Sequence, residues 1–165
     1  KKLVSYDHMA EMNCKLKRFD VAKDLALKCL DMDADYDPPK VWLAMATFEL
    51  EKDYVKTLKL LNPIHEQLLT DRTPDQNVSY YVAKSLDALS MQEDEAGNTQ
   101  SAKELRNKAG LIYTEYSLYF RGKEHYEEVE ARIEEIMRID MPIDDTESVD
   151  SYFDDPERQI GRAHV

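Results

Sequence analysis

The sequence predicts an all-α fold, and three observations carry that prediction. Leu, Ala, Met, Glu and Lys are abundant, whereas Gly occurs four times and Pro six, a balance that favours helix. Apolar residues recur at intervals of three and four through most of the chain, which lines them up on one helical face. Alternating apolar–polar runs of the kind that build strands are hard to find.

The first predicted helix spans about Leu3–Leu16, with Tyr6, Met9, Ala10 and Asn13 on one face. Lys17-Arg18 turns the chain into a second, about Asp20–Met32, whose inward residues are Val21, Ala22, Leu25, Ala26 and Cys29. Asp33–Pro39 ends it. Pro38-Pro39 then suits the start of a third helix, where the early N–H groups have no partner within the helix anyway. This helix reaches Glu51 and turns Trp42, Met45, Ala46 and Phe48 inward. The fourth, Asp53–Leu69, is apolar at Tyr54, Leu58, Leu61, Ile64 and Leu68, and Pro63 inside it predicts a kink.

Thr73-Pro74-Asp75 starts a fifth helix that continues to Met91, with Val78, Tyr81, Val82, Leu86 and Leu89 facing in. Polar, glycine-bearing Ser90–Asn98 reads as a loop. A sixth helix covers Thr99–Phe120, weakened locally by Gly110. After the turn Arg121-Gly122-Lys123, a seventh spans Glu124–Ile139, apolar at Tyr126, Val129, Ile133, Ile136 and Met137. Residues 1–139 thus form a helical domain of about seven helices, and residues 140–165 an acidic tail or linker. Beyond Pro142 too few apolar residues remain to offset ordering entropy, so disorder is expected there.

Charge narrows the function classes. Of the net −12, half falls on residues 140–165, where eight acids face two bases. Such a surface repels phosphate backbones, so direct nucleic-acid binding is not expected. No run of roughly 18 apolar residues and no signal-peptide pattern occurs, which predicts no membrane segment and an intracellular, cytoplasmic or nuclear location. The opening Lys1-Lys2-Leu3 carries no initiator Met, as expected of a piece of a longer protein.

The chemistry-bearing residues do not form a motif. Cys14 and Cys29 read as two buried thiols rather than a disulfide or metal pair. Asp31, Asp33, Asp35 and Asp37 alternate like the opening of a calcium loop, but Tyr36 and Trp42 stand where that loop needs Gly and Glu, so a solvated inter-helix loop is expected. His8, His65, His125 and His164 are too far apart in sequence for a zinc motif. No phosphate-cradling glycine loop and no Ser or Cys nucleophile arrangement is visible. No catalytic, cofactor-binding or metal-binding residue is therefore assigned.

An internal repeat carries more. Phe19 and Tyr54 lie 35 residues apart, each followed three positions later by Ala22 or Thr57. Leu25 then matches Leu60, and Cys29 matches Ile64. One helix earlier, Tyr6 matches Val41, and Trp42 fits that place better after a one-residue slip. A degenerate third copy has Val82-Ala83 in its first helix and Ala102 and Ala109 in its second. This pattern resembles the tetratricopeptide repeat family, whose period is about 34 residues. Trp42, Met45, Phe48, Tyr54 and Thr57 occupy the family's positions in the better copy, and Tyr6, Ala10, Phe19, Ala22 and Cys29 in the first. Arg121–Ile139 is similar to the family's turn and following helix, giving a further second helix or a terminal cap. The family's usual closing proline is missing from every copy.

The resemblance implies a right-handed α-solenoid of antiparallel helix pairs and a non-enzymatic scaffold or adaptor role. The partner would be a peptide or helix of another protein, held in a concave groove built by Leu3–Leu16, Pro39–Glu51 and Pro74–Met91. Such arrays serve multisubunit complexes. Expected groove residues are Asp7, Glu11, Asn77 and Tyr80, which favour a neutral or basic partner. Tyr113 and Tyr116, with Tyr119 three further on, form a stripe that either packs the core and groove or docks a partner helix from a partly exposed surface. Asp7, Glu11 and Leu43 stand where some family members hold a chaperone's C-terminal carboxylate; two acids and a leucine do not suit that ligand. Alternatives are a helical bundle or another helix-pair solenoid in fold, and a small helical enzyme using buried carboxylates, or a structural spacer, in function.

Overall fold

The computed structural model describes residues 1–140, which form seven helices and, among those residues, no strand. They are α1 (Lys2–Lys15), α2 (Phe19–Met32), α3 (Pro38–Ala46), α4 (Tyr54–Asp71), α5 (Gln76–Glu95), α6 (Thr99–Tyr119) and α7 (Tyr126–Asp140). The acidic tail expected to be disordered lies outside the described residues.

Each boundary has a local cause. Asp53 and Asp75 cap α4 and α5, their side chains accepting from the N–H groups of Lys56 and Val78 at 3.0 and 2.9 Å. Pro38-Pro39 opens α3, as the sequence suggests. The third helix does not stay α-helical to its end: Thr47–Glu51 widens into a π-helical turn, closed by Lys52 in the left-handed region at φ 50°. This turn carries Phe48 onto Tyr54 and Tyr81, with ring centroids 5.2 Å apart in both pairs.

The expected loop Ser90–Asn98 is mostly helix, because α5 continues to Glu95. Ser90 is buried with its hydroxyl on the Asp87 carbonyl, and Asp94 pairs with Arg106 of α6. Polarity there belongs to the solvated face of a last turn, not to a loop. The true turn is Ala96-Gly97-Asn98, with Gly97 at φ 83°.

Every helix packs along the next, and the short turns reverse the chain each time. In addition α1 touches α3, and α3 touches α5. Small residues permit this closeness: Ala10, Ala22, Ala44, Ala83, Ala102 and Ala109 are all fully buried. A smaller core cluster of Ala10, Leu25, Ala26 and Leu43 ties α1 to α2 and α3, and a larger one runs from Cys14 to Ile136. Trp42 borders both. Cys14 and Cys29 are buried free thiols.

Three residues expected to face inward do not: Met9, Val21 and Met137 are 50%, 42% and 54% exposed. In each case the next or previous residue (Ala10, Ala22, Ile136) takes the inward direction. One residue turns a helix by about 100°, enough to move a side chain from core to rim. No helix among the described residues is long and apolar enough to cross a membrane.

Candidate partner-binding groove

A cavity of about 270 Å³ opens where α1, α3 and α5 meet. Its apolar lining is Phe19, Trp42, Met45 and Tyr81, with Cys14 beneath. Lys15 and Lys17 stand at the α1 end, Asn77 and Gln76 at the start of α5, and Glu49, Glu124 and His125 opposite. The elements that deliver these side chains are α1, the start of α2, α3 with its π turn, α5 and the α6–α7 turn.

Trp42 is fixed there by one polar contact. Its indole Nε1 donates to Asp7 Oδ1 at 2.7 Å, across 35 residues of sequence. Asp7 is 7% exposed, so it is not a groove residue facing a ligand but an acceptor that seats the indole. Leu43, read as a surface position, is also buried, at 6%. Both corrections have the same cause: α3 leans on α1 and covers those faces. Glu11 does reach the surface, where Lys15 pairs with it at 3.2 Å. Asn77 is half-buried and lines the cavity.

Of the two readings of the tyrosine stripe, packing holds for Tyr113 and Tyr116, while Tyr119 is exposed, and Tyr80, expected in the groove, is buried. Tyr80, Tyr113 and Tyr116 are 6%, 1% and 0% exposed. Tyr80 turns away from the cavity, donates to Glu128 Oε2 at 2.7 Å and stacks on His125 with centroids 3.9 Å apart. Tyr113 donates to Asp87 Oδ2 at 2.9 Å. Tyr116 donates to the Glu124 carbonyl and accepts from Gln76. All three are packing residues with their hydroxyls satisfied inside the protein. Tyr81, one residue along from Tyr80, is the tyrosine that reaches the groove, its hydroxyl on Glu49 Oε1 at 2.9 Å.

Electrostatics follow from burial. Removal from water raises the tyrosine hydroxyls of Tyr80, Tyr81 and Tyr113 well above their ordinary range, and the neighbouring Glu128, Glu49 and Asp87 add to the effect. Burial pushes the Cys14 thiol up to about 12, with Glu11 contributing.

The buried acids do not converge. Asp7 binds Trp42, Asp87 is clasped by Arg132 through two bonds of 2.8 Å, and Asp140 is held by Arg106. His125 has φ 69°, a left-handed backbone unusual outside Gly, which brings its ring over Tyr80 at the groove's edge.

Met45 and Tyr81 are buried in the core, as the sequence suggests, and Trp42 packs against it; that the same three side chains also line the cavity is not legible from their spacing. Comparison with known proteins adds no relative, since no protein-family model, curated protein or solved structure matches the chain.

Proposed function

We propose that this chain is a non-enzymatic protein–protein interaction scaffold of the tetratricopeptide-repeat kind, a right-handed solenoid segment that serves a multisubunit assembly. The observation that carries the reading is the contact pattern: consecutive helices pack in series while α3 also touches both α1 and α5. Helix pairs stacked this way leave the first helices as one continuous wall, and a groove opens along it. Trp42, Met45 and Tyr81 supply apolar anchorage there, and Asn77 with Lys17 supplies polar selection.

The ligand is a peptide or helix from another protein. Glu49 and Glu124 line the groove of an acidic domain, which favours a neutral or basic ligand. Association should then slow as salt rises.

The test is affinity purification of the intact protein, followed by titration of the recovered partner against Asn77→Lys. This variant should weaken binding about tenfold, roughly 1.4 kcal/mol, with unchanged helical content. Equal affinity for the variant and the parent chain would remove the groove from the binding surface.

A further inference from the structure

A second groove lies on the other helices of the pairs. Its walls are α4 and α6, its floor is Val82 and Leu86 of α5, and its volume is about 590 Å³. Helix α6 shows why it is there. One stripe of α6, Ala102, Arg106, Ala109, Tyr113 and Tyr116, is buried against its neighbours. A second stripe, Leu111, Leu118 and Tyr119, is left 74%, 75% and 63% exposed. Across the groove Leu69 of α4 is 53% exposed. A helix needs one apolar face to join a fold; the extra face here is uncovered among the described residues.

The charges along this groove are ordered. At its centre His65 Nε2 meets Glu115 Oε2 at 2.9 Å, which sets α4 and α6 in register. The same Oε2 lies 3.4 Å from Ser79 Oγ, while Glu66 adds a second carboxylate on the rim. Lys108 stands seven residues before Glu115, and Arg72 seven after His65. Because two chain reversals make α4 and α6 run the same way, these cations fall at opposite ends, each about 10 Å from the centre. The sequence along the groove is positive, negative, positive over roughly 20 Å.

We propose that this groove docks an amphipathic helix of a partner protein. Its apolar stripe would cover Leu69, Leu111 and Tyr119, a lysine or arginine at its middle would meet Glu66 and Glu115, and acids toward its ends would meet Lys108 and Arg72. An extended peptide is the wrong occupant. Helical walls offer no sheet edge, so its backbone groups would go unpaired in an apolar slot, whereas a helix satisfies its own. The length also fits, since 20 Å is about four helical turns. This site is separate from the Trp42 groove and does not depend on that reading.

The test uses the intact chain and a displayed library of amphipathic helices randomised at the apolar, central and end positions. Enriched helices should carry a central Lys or Arg with acids toward the ends. A synthetic peptide of that sequence should lose at least about tenfold in affinity on Leu111→Asp, and several-fold on Glu66→Gln, both exposed positions whose change leaves the helical spectrum and melting unaltered. Asn77→Lys, in the other groove, should change nothing. The proposal is overturned if no helix is enriched, if enriched helices lack the central cation, or if Leu111→Asp leaves affinity intact. Sedimentation showing a dimer of this chain that Leu111→Asp dissolves would also overturn it, assigning the face to a second copy.

Discussion

Trp42 and Asp7 join two helices through a single hydrogen bond of 2.7 Å, with a carboxylate that is 7% exposed. Removing either partner has a different cost. Trp42→Ala deletes packing against both core clusters and should cost about 3 kcal/mol, the lower end for a large aromatic because Trp42 is only partly buried. Asp7→Ala leaves the indole N–H without its acceptor and should cost about 1–3 kcal/mol. The double variant should cost less than the sum, and a double-mutant cycle by urea denaturation measures the difference. Strict additivity would show that the contact contributes nothing. A second residue-scale prediction concerns alkali. The folded chain holds the Cys14 proton to about 12 against an ordinary 9.0, and burial raises Tyr80, Tyr81 and Tyr113 above their ordinary 10.0. The unfolded chain releases these protons first, so above pH 9 it binds fewer than the folded chain, and stability must fall as pH rises. Below pH 9 these groups leave stability level. Denaturation midpoints on either side of that value check the slope; a rise in stability above it would contradict the assignment.

At the scale of elements, α6 and α7 make opposite points about polar and small residues. Gly110 sits inside α6, where a Cβ would meet only Ile136 Cγ2 at 3.8 Å, an ordinary contact. The helix carries the glycine's entropic cost with no steric need for it. Gly110→Ala should therefore stabilise the protein by about 0.5–1 kcal/mol, read as a higher melting temperature. Helix α7, by contrast, is pinned by ions. Arg132 reaches across to Asp87 with two bonds of 2.8 Å, and Asp87 also accepts from Tyr113. Arg132→Met removes the cation and leaves a carboxylate 4% exposed, which should cost about 3 kcal/mol. Replacing Asp87 as well, by Asn, which removes the charge and keeps an acceptor for the Tyr113 hydroxyl, should recover much of the loss. If the double variant is no better than the single, the pair is not what holds α7 in place.

The whole molecule is organised around α5. That helix buries residues on several sides, from Val78 through Ser90, and takes contacts from α3, α4 and α6. Opening it would expose most of the larger core, whereas among the described residues α1 packs mainly on α2 and α3 and keeps Val4, Met9 and Met12 half-exposed. Amide exchange should accordingly be slowest in α5 and the α6 turns facing it, and fastest in α1. Uniform protection along the chain would mean that α1 belongs to the same cooperative unit. The serial packing also locates the two grooves: one lined from α1, α2, α3, α5 and the α6–α7 turn, one between α4 and α6.

The sequence by itself determined the helices, most of their ends and the all-α class. These depend on local matters: apolar spacing, proline at a first turn, aspartate caps at Asp53 and Asp75. It also placed the small residues Ala22, Ala102 and Ala109 at close contacts, because only a small side chain lets backbones approach. What only the tertiary structure decided is which way a rim side chain turns and what covers it. Asp7 and Tyr80 read as surface and are buried; Met9 and Val21 read as core and are exposed. A helix face has no meaning until a neighbour lies on it, and about 100° per residue makes adjacent positions trade places. The Ser90–Glu95 turns look like a loop until Arg106, from the next helix, reaches Asp94. Both grooves arise the same way, from residues of three or more elements that no spacing in the chain connects.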